Sequence, residues 1–169
     1  MKKIFFILSL ILLFCSCNRN KTKQSGFHVK LTISDKVPIP DFYRSKGEFY
    51  PIRINLINNT DSTMQFWTTS HSWYRNFIFN SDAITIFGTG NDKNSLLLMT
   101  LEPGKTLTYN GYLVVRNISS LRKKTDLRLG FVLITENVSN SYRIFSELLF
   151  DKKTKKDVIW CDTPLKFDW

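Results

Sequence analysis

The segment Phe66-Trp67-Thr68-Thr69-Ser70-His71-Ser72-Trp73-Tyr74-Arg75-Asn76-Phe77 holds the densest mixture of aromatic and reactive side chains in the chain. Trp73 and Tyr74 can stack on a sugar ring or a peptide group, with Trp67 beside them. His71 and Arg75 can hold polar or charged substituents, because an aromatic face with a polar handle suits such binding. The competing reading puts Trp67, Trp73 and Phe77 in a core, with the rest as a bend between strands. Ser70-His71-Ser72 sets hydroxyls beside an imidazole, but a nucleophilic triad is made by spatial geometry and an orienting carboxylate, which adjacency does not supply.

Other catalytic patterns are missing from the sequence. It has no Gly-x-Ser-x-Gly, no Gly-x-x-x-x-Gly-Lys and no His-Glu-x-x-His. Asp82, Asp92 and Glu102 show no spacing that singles out a paired-carboxylate site. Gly90-Asn91-Asp92-Lys93-Asn94 carries oxygen ligands but not the register or closing Glu of an EF-hand. No metal site and no cofactor are expected, and the chain reads as non-catalytic.

The first eighteen residues are the most specific stretch. Lys2 and Lys3 give a positive start, Ile4 to Phe14 is an apolar run broken only by Ser9, and small residues follow. That is the layout of an export signal, and the run is too short for a permanent span, which needs roughly 20 apolar residues. Phe14-Cys15-Ser16-Cys17 resembles the lipobox of bacterial lipoproteins, with Phe14 where Leu is usual and Cys15 at the next position. The resemblance implies a cleaved signal peptide over 1–16, with Cys17 as the new first residue carrying the lipid (palmitate and its like). Residues 17–26 then form a lipidated, polar, flexible tether, and the membrane is a partner through the anchor. It further implies the bacterial cell envelope, with the outer membrane facing the periplasm favoured because Asn18 is not the inner-membrane retention aspartate of some bacteria.

The cysteine count follows from that assignment. With Cys15 removed and Cys17 acylated, Cys161 is alone, so the mature domain has no internal disulfide and must be held by its core. Charge adds less. The full chain carries +10; without Lys2 and Lys3 it has 22 basic and 14 acidic residues, or +8. Arg122-Lys123-Lys124 and Lys152-Lys153-Thr154-Lys155-Lys156 read as two solvated turns. The export signal argues against nucleic acid, which leaves an anionic lipid headgroup, an envelope protein or an anionic glycan as partner.

Residues 27–169 must supply the frame for any site, as a single domain. Phe27, Val29, Leu31 and Ile33 alternate, as do Ile52, Ile54 and Leu56, and period two means half-buried strands. Further strands are predicted near 63–67, 76–80, 83–87, 95–101, 105–115, 126–134, 157–161 and 165–167. Asn58-Asn59-Thr60-Asp61 predicts a hairpin turn, and Pro103-Gly104 another turn. Ile144, Phe145, Leu148 and Leu149 follow helical spacing, so one short helix is expected near 142–150. Many short strands without βαβ alternation predict an all-β antiparallel sandwich. The Leu56–Asp61 turn and Leu101-Glu102-Pro103-Gly104-Lys105-Thr106 resemble the turns of bacterial immunoglobulin-like domains. The Trp-rich middle is similar to that of small uncharacterised envelope lipoproteins, a likeness that implies no catalytic residues.

Three functions are compatible with this reading. The first is a lipid-anchored, non-catalytic envelope binding or interaction module. The second is a protease-inhibitor-like sandwich presenting Trp67 to Asn76, and the third is an envelope enzyme acting on an anionic glycan through His71.

Overall fold

The computed structural model describes residues 26–39, 47–88, 94–122 and 126–165. The signal segment, Cys17, the tether before Gly26, Lys123 and Lys124 of the first basic run, most of the Gly90–Asn94 loop and residues 166–167 of the last expected strand lie outside the described residues.

Among the described residues, nine strands form two antiparallel layers. The first layer is a four-stranded sheet in the order β1 (Phe27–Ile33), β2 (Glu48–Asn58), β7 (Thr106–Val115), β5 (Ile84–Phe87). The second contains the pair β3 (Met64–Thr69) and β6 (Leu96–Leu101), and the trio β4 (Phe77–Phe79), β8 (Leu129–Phe131), β9 (Ile159–Trp160). The Trp67 amide donates to the Ile134 carbonyl at 2.8 Å and ties the two ladders of this layer together. Alternation decides which side chains meet. Phe27, Val29, Ile52, Ile54, Leu56, Leu113 and Val115 face inward from the first layer, and Phe66, Phe77, Leu129 and Phe131 pack onto them from the second. Burial of such side chains stabilises each by about 1.5–3 kcal/mol, and among the described residues no cross-link assists: Cys161 is a free, buried thiol whose Sγ donates to the Thr163 carbonyl.

A helix completes the fold on the outer face of the second layer. This is α2 (Tyr142–Lys155), following the short α1 (Ile118–Arg122). Ser141 caps α2 by accepting the Ile144 amide, and Lys156 ends it in the left-handed region. Phe145 and Leu149 bury against Val132, Ile134 and Val138, with Trp67, Ile78 and Leu96 around them. The expected helix is therefore present but runs to Lys155. The basic run 152–156 is its last turn and cap rather than a solvated turn. Cations in the last turn of a helix are favoured by its dipole.

Two expectations need correction. The Asn58–Asp61 turn does not close a hairpin, because β2 pairs with β1 and β7 whereas β3 pairs with β6 in the other layer. The Asn58 side chain explains why. Its Nδ2 donates to Leu101 O and Ser62 O, both at 2.8 Å, and its Oδ1 accepts the Thr60 amide, so the turn is built to cross between layers. The Pro103-Gly104 turn is fastened to the same residue: Gly104 N donates to Asn58 O and Asn58 N to Lys105 O. Gly104 has φ +69°, where a side chain is strained. Second, the strand expected over 126–134 is regular only from Leu129 to Phe131. Its alternation persists beyond the ladder, with Leu127, Leu129, Phe131 and Leu133 against the main core and Val132 and Ile134 against α2.

Candidate functional site

The segment expected to carry a site is fixed mainly by packing. Trp73 is 9% exposed. Its ring stacks on Tyr109 at 4.7 Å and 22°, and meets Phe77 and Tyr74 edge-on at 5.8 and 6.1 Å. The indole also lies over Gly111, where an added Cβ would come within 3.2 Å of the ring and 2.8 Å of Phe87 O. Trp67 points the other way, into the cluster under α2. The two tryptophans thus serve opposite faces of the second layer, because β3 ends at Thr69 and the chain turns through a 3-10 segment, Trp73–Asn76.

Asn76 holds that turn. It is fully buried; its Oδ1 accepts from Thr68 Oγ1 at 3.0 Å, and its Nδ2 donates to Trp67 O at 3.0 Å and Val132 O at 3.2 Å. His71 sits in the loop before it, with Nδ1 2.9 Å from Ser70 Oγ. The same Ser70 oxygen accepts the Ser95 amide. Asn94 clamps the loop from the β6 side, accepting the His71 and Ser72 amides and donating to Ser72 Oγ. Ser70-His71-Ser72 is accordingly a brace across the ends of β3 and β6. Trp67, Trp73 and Asn76 being tied down, Trp67 to Asn76 is not a projecting loop of the kind an inhibitor presents.

Tyr74 and Arg75 are the two members of the predicted cluster that meet in a cleft. They line a cleft of about 400 Å³ at the corner where the chain passes from β4 to β5. β4 and β5 are both edge strands of their ladders, so the corner is not closed by a neighbouring strand. Arg116, just after β7, and Lys153, from the last turn of α2, line the same cleft, with Ser81, Asp82 and Thr85. Three cations therefore share the cleft with one carboxylate. Among the described residues, no salt bridge joins any of the three. Burial, together with the like charge of Arg75, holds the Lys153 amine below its ordinary value. Arg75 is aimed from the other side by α2: one guanidinium nitrogen donates to the Tyr142 hydroxyl and another to Ser146 Oγ at 3.4 Å, and the group lies 5.2 Å from the Tyr142 ring centroid.

No protein-family model, curated protein or solved structure matches this chain. The site must be read from its own chemistry. Of the five expected residues, Trp67 and Trp73 are packing residues, His71 braces a loop, and Tyr74 and Arg75 belong to the cleft. Arg116 and Lys153 were not anticipated. A signal for Lys153 existed: Phe145, Leu149 and Lys153 recur every four residues, which places a lysine on the buried stripe of the helix. Arg116 carries no such mark.

Proposed function

We propose that this chain is a lipid-anchored module of the bacterial cell envelope that binds an anionic ligand without catalysing a reaction on it. The observation that carries the binding half is the cleft lined by Arg75, Arg116 and Lys153, with Asp82 as its one carboxylate and no salt bridge to any of the three among the described residues. Unpaired cations in a partly desolvated cleft attract an anion more strongly than exposed ones do. The sequence supports the anchoring half, through the positive start, the apolar run and the lipobox-like Cys17. One acyl chain binds membranes only marginally, so the several chains of a lipoprotein are the reason for permanent attachment. The outer membrane, with the domain facing the periplasm, is the proposed location. We read the sandwich as immunoglobulin-like with α2 added, supported by the layer-crossing turn at Asn58 and the Pro103-Gly104 turn fastened to it.

The anchor is tested by metabolic labelling of the full chain with an alkyne analogue of palmitate in a bacterial host. Label on the wild-type chain and its loss in Cys17→Ala, with release from the membrane fraction, is expected. Label that persists in Cys17→Ala, or a wild-type chain that takes none, overturns the anchoring proposal. For binding, detergent-solubilised full chain is expected to show saturable, salt-sensitive association with at least one small anion, and Arg116→Gln/Lys153→Gln to lose it. Association that survives the double substitution would place the ligand elsewhere.

A further inference from the structure

We infer that the cleft recognises a phosphomonoester group carried on a sugar-sized polar molecule, an inference that rests on the cleft being the ligand site proposed above. Charge matching is the first argument. Arg75, Arg116 and Lys153 against Asp82 leave two positive charges in the cleft, and a phosphomonoester carries about −1.5 to −2 at neutral pH. A single carboxylate would leave one cation unmatched beside a half-buried lysine, which a desolvated site penalises.

Donor geometry is the second argument. A guanidinium presents a planar fork that pairs two oxygens of one phosphate, while a lysine amine acts as a point charge. Two arginines and one lysine, approaching from three separate elements, suit a tetrahedral group with three terminal oxygens better than a planar carboxylate. Both terminal nitrogens of Arg75 already donate to Tyr142 and Ser146 of α2, so Arg75 supplies a fixed charge and its remaining N–H groups, while the two-oxygen fork falls to Arg116. Size is the third. At about 400 Å³ the cleft exceeds what inorganic phosphate fills and falls within the roughly 300–1,000 Å³ of small-molecule sites. The remaining lining fits a polar ring: Tyr74 offers an aromatic wall with a hydroxyl, and Ser81 and Thr85 offer hydroxyls that donate and accept.

The phosphomonoester has two sources in an envelope, a free sugar phosphate or the phosphorylated sugar headgroup of a lipid. Both share the recognised chemistry. The test is a 31P NMR titration of full-length chain in detergent micelles with glucose 1-phosphate, beside calorimetric titrations with glucose 1-phosphate, glucuronate and glucose. The expected result is saturable perturbation of the phosphorus signal, with glucose 1-phosphate bound roughly tenfold or more tighter than glucuronate and glucose unbound. Arg116→Gln and Lys153→Gln should each weaken glucose 1-phosphate binding roughly tenfold, and Arg116→Glu should abolish it. Lys105→Gln, on the far Pro103-Gly104 turn, should leave it unchanged. Near-UV circular dichroism of each variant separates lost binding from lost folding, and Arg116→Lys, which keeps charge but not the fork, should bind with intermediate strength. Repeating the titration with a micelle-embedded lipid bearing a sugar 1-phosphate headgroup tells the sources apart: tighter binding of the lipid assigns the membrane, equal binding the free sugar phosphate. Glucuronate binding as tightly as glucose 1-phosphate would overturn the inference and leave the anion-binding proposal standing. A phosphorus signal that stays unperturbed by folded protein while glucuronate binds would do the same; failure of both anions would overturn the two together.

Discussion

Replacing Trp73 with alanine separates a packing role from a ligand platform. The side chain is 9% exposed and makes three ring contacts, to Tyr109, Phe77 and Tyr74, within 6.1 Å. Truncating a buried Trp to Ala typically costs about 3–5 kcal/mol through lost transfer energy and the residual cavity. Each aromatic pair adds about 0.5–1.5 kcal/mol, non-additively. The neighbourhood cannot collapse easily, because Gly111 and the Phe87 carbonyl beneath the indole are backbone of the first layer. A cost near 4 kcal/mol is expected, which is a large share of the roughly 5–15 kcal/mol of a domain's stability. Trp73→Phe keeps a ring on Tyr109 and should lose about half as much. The assay is urea unfolding followed by far-UV circular dichroism, which does not depend on the removed fluorophore. A fall in the midpoint at unchanged m is expected. A Trp73→Ala protein less than about 1 kcal/mol weaker, yet unable to bind a ligand that wild type binds, would refute the packing assignment.

Two more outcomes follow from buried polar groups. Asn76→Ala strands the Thr68 hydroxyl and the Trp67 and Val132 carbonyls, so it should destabilise by about 3 kcal/mol; a loss under about 1 kcal/mol in the same urea assay would mean water or side chains replace the amide. Among the described residues the Tyr109 hydroxyl is buried with no well-aligned hydrogen-bond partner; burial pushes its phenol up to about 12 from 10.0, and the nearby Thr68 side chain offsets this only in part. A folded value above the unfolded one gives stability that is complete below pH 10 and lost as pH rises toward 12, by at most about 2.7 kcal/mol. Tyr109→Phe should therefore be as stable as wild type or more so at pH 7, and should show a shallower loss between pH 10 and 12. Tyr50, also pushed up to about 12 by burial and by Glu48, is more exposed and leaves a smaller residual slope. An unchanged alkaline limb in Tyr109→Phe would show that another group drives it.

Strand positions were legible wherever one face is buried and the other wet. Ile52, Ile54 and Leu56 alternate with Arg53 and Asn55, and that period alone identifies the strand and its inner face. Pairing was not legible, because Asn58-Asn59-Thr60-Asp61 marks a reversal of the chain without saying whether it stays in one sheet. The deciding contact, Asn58 Nδ2 to Leu101 O, joins residues far apart in sequence. The second face of β3 was likewise ambiguous. Trp67 alternates with Phe66 and Thr68 as an outward residue would, and only the later helix stripe of Phe145 and Leu149 explains why a large indole belongs there. Trp67 and Trp73 face different clusters because β3 ends at Thr69 and the chain bends through Ser70–Ser72 before the 3-10 segment that begins at Trp73.

The cleft is a consequence of how the layers are joined. Between Phe79 and Ile84 the chain leaves the second layer for the first, and β4 and β5 are both left as edges. An open sheet edge exposes unpaired amides and carbonyls and is usually protected by charge or covered. Here Arg75, Arg116 and Lys153 stand at that corner, so one reason for their presence is protection of the edges against pairing with other strands. Protection alone does not account for their arrangement. Exposed lysines anywhere along β4 or β5 would serve it, at less cost than a lysine on the buried stripe of α2, whose amine is held below its ordinary value by burial and by Arg75. Nor would it require Arg75 to be fixed by two hydrogen bonds to that same helix. Arg75 fixed by α2, Arg116 following β7 and Lys153 carried on the helix all line one cleft that holds a single carboxylate, Asp82, and that convergence of charge from three elements favours an anion at this corner.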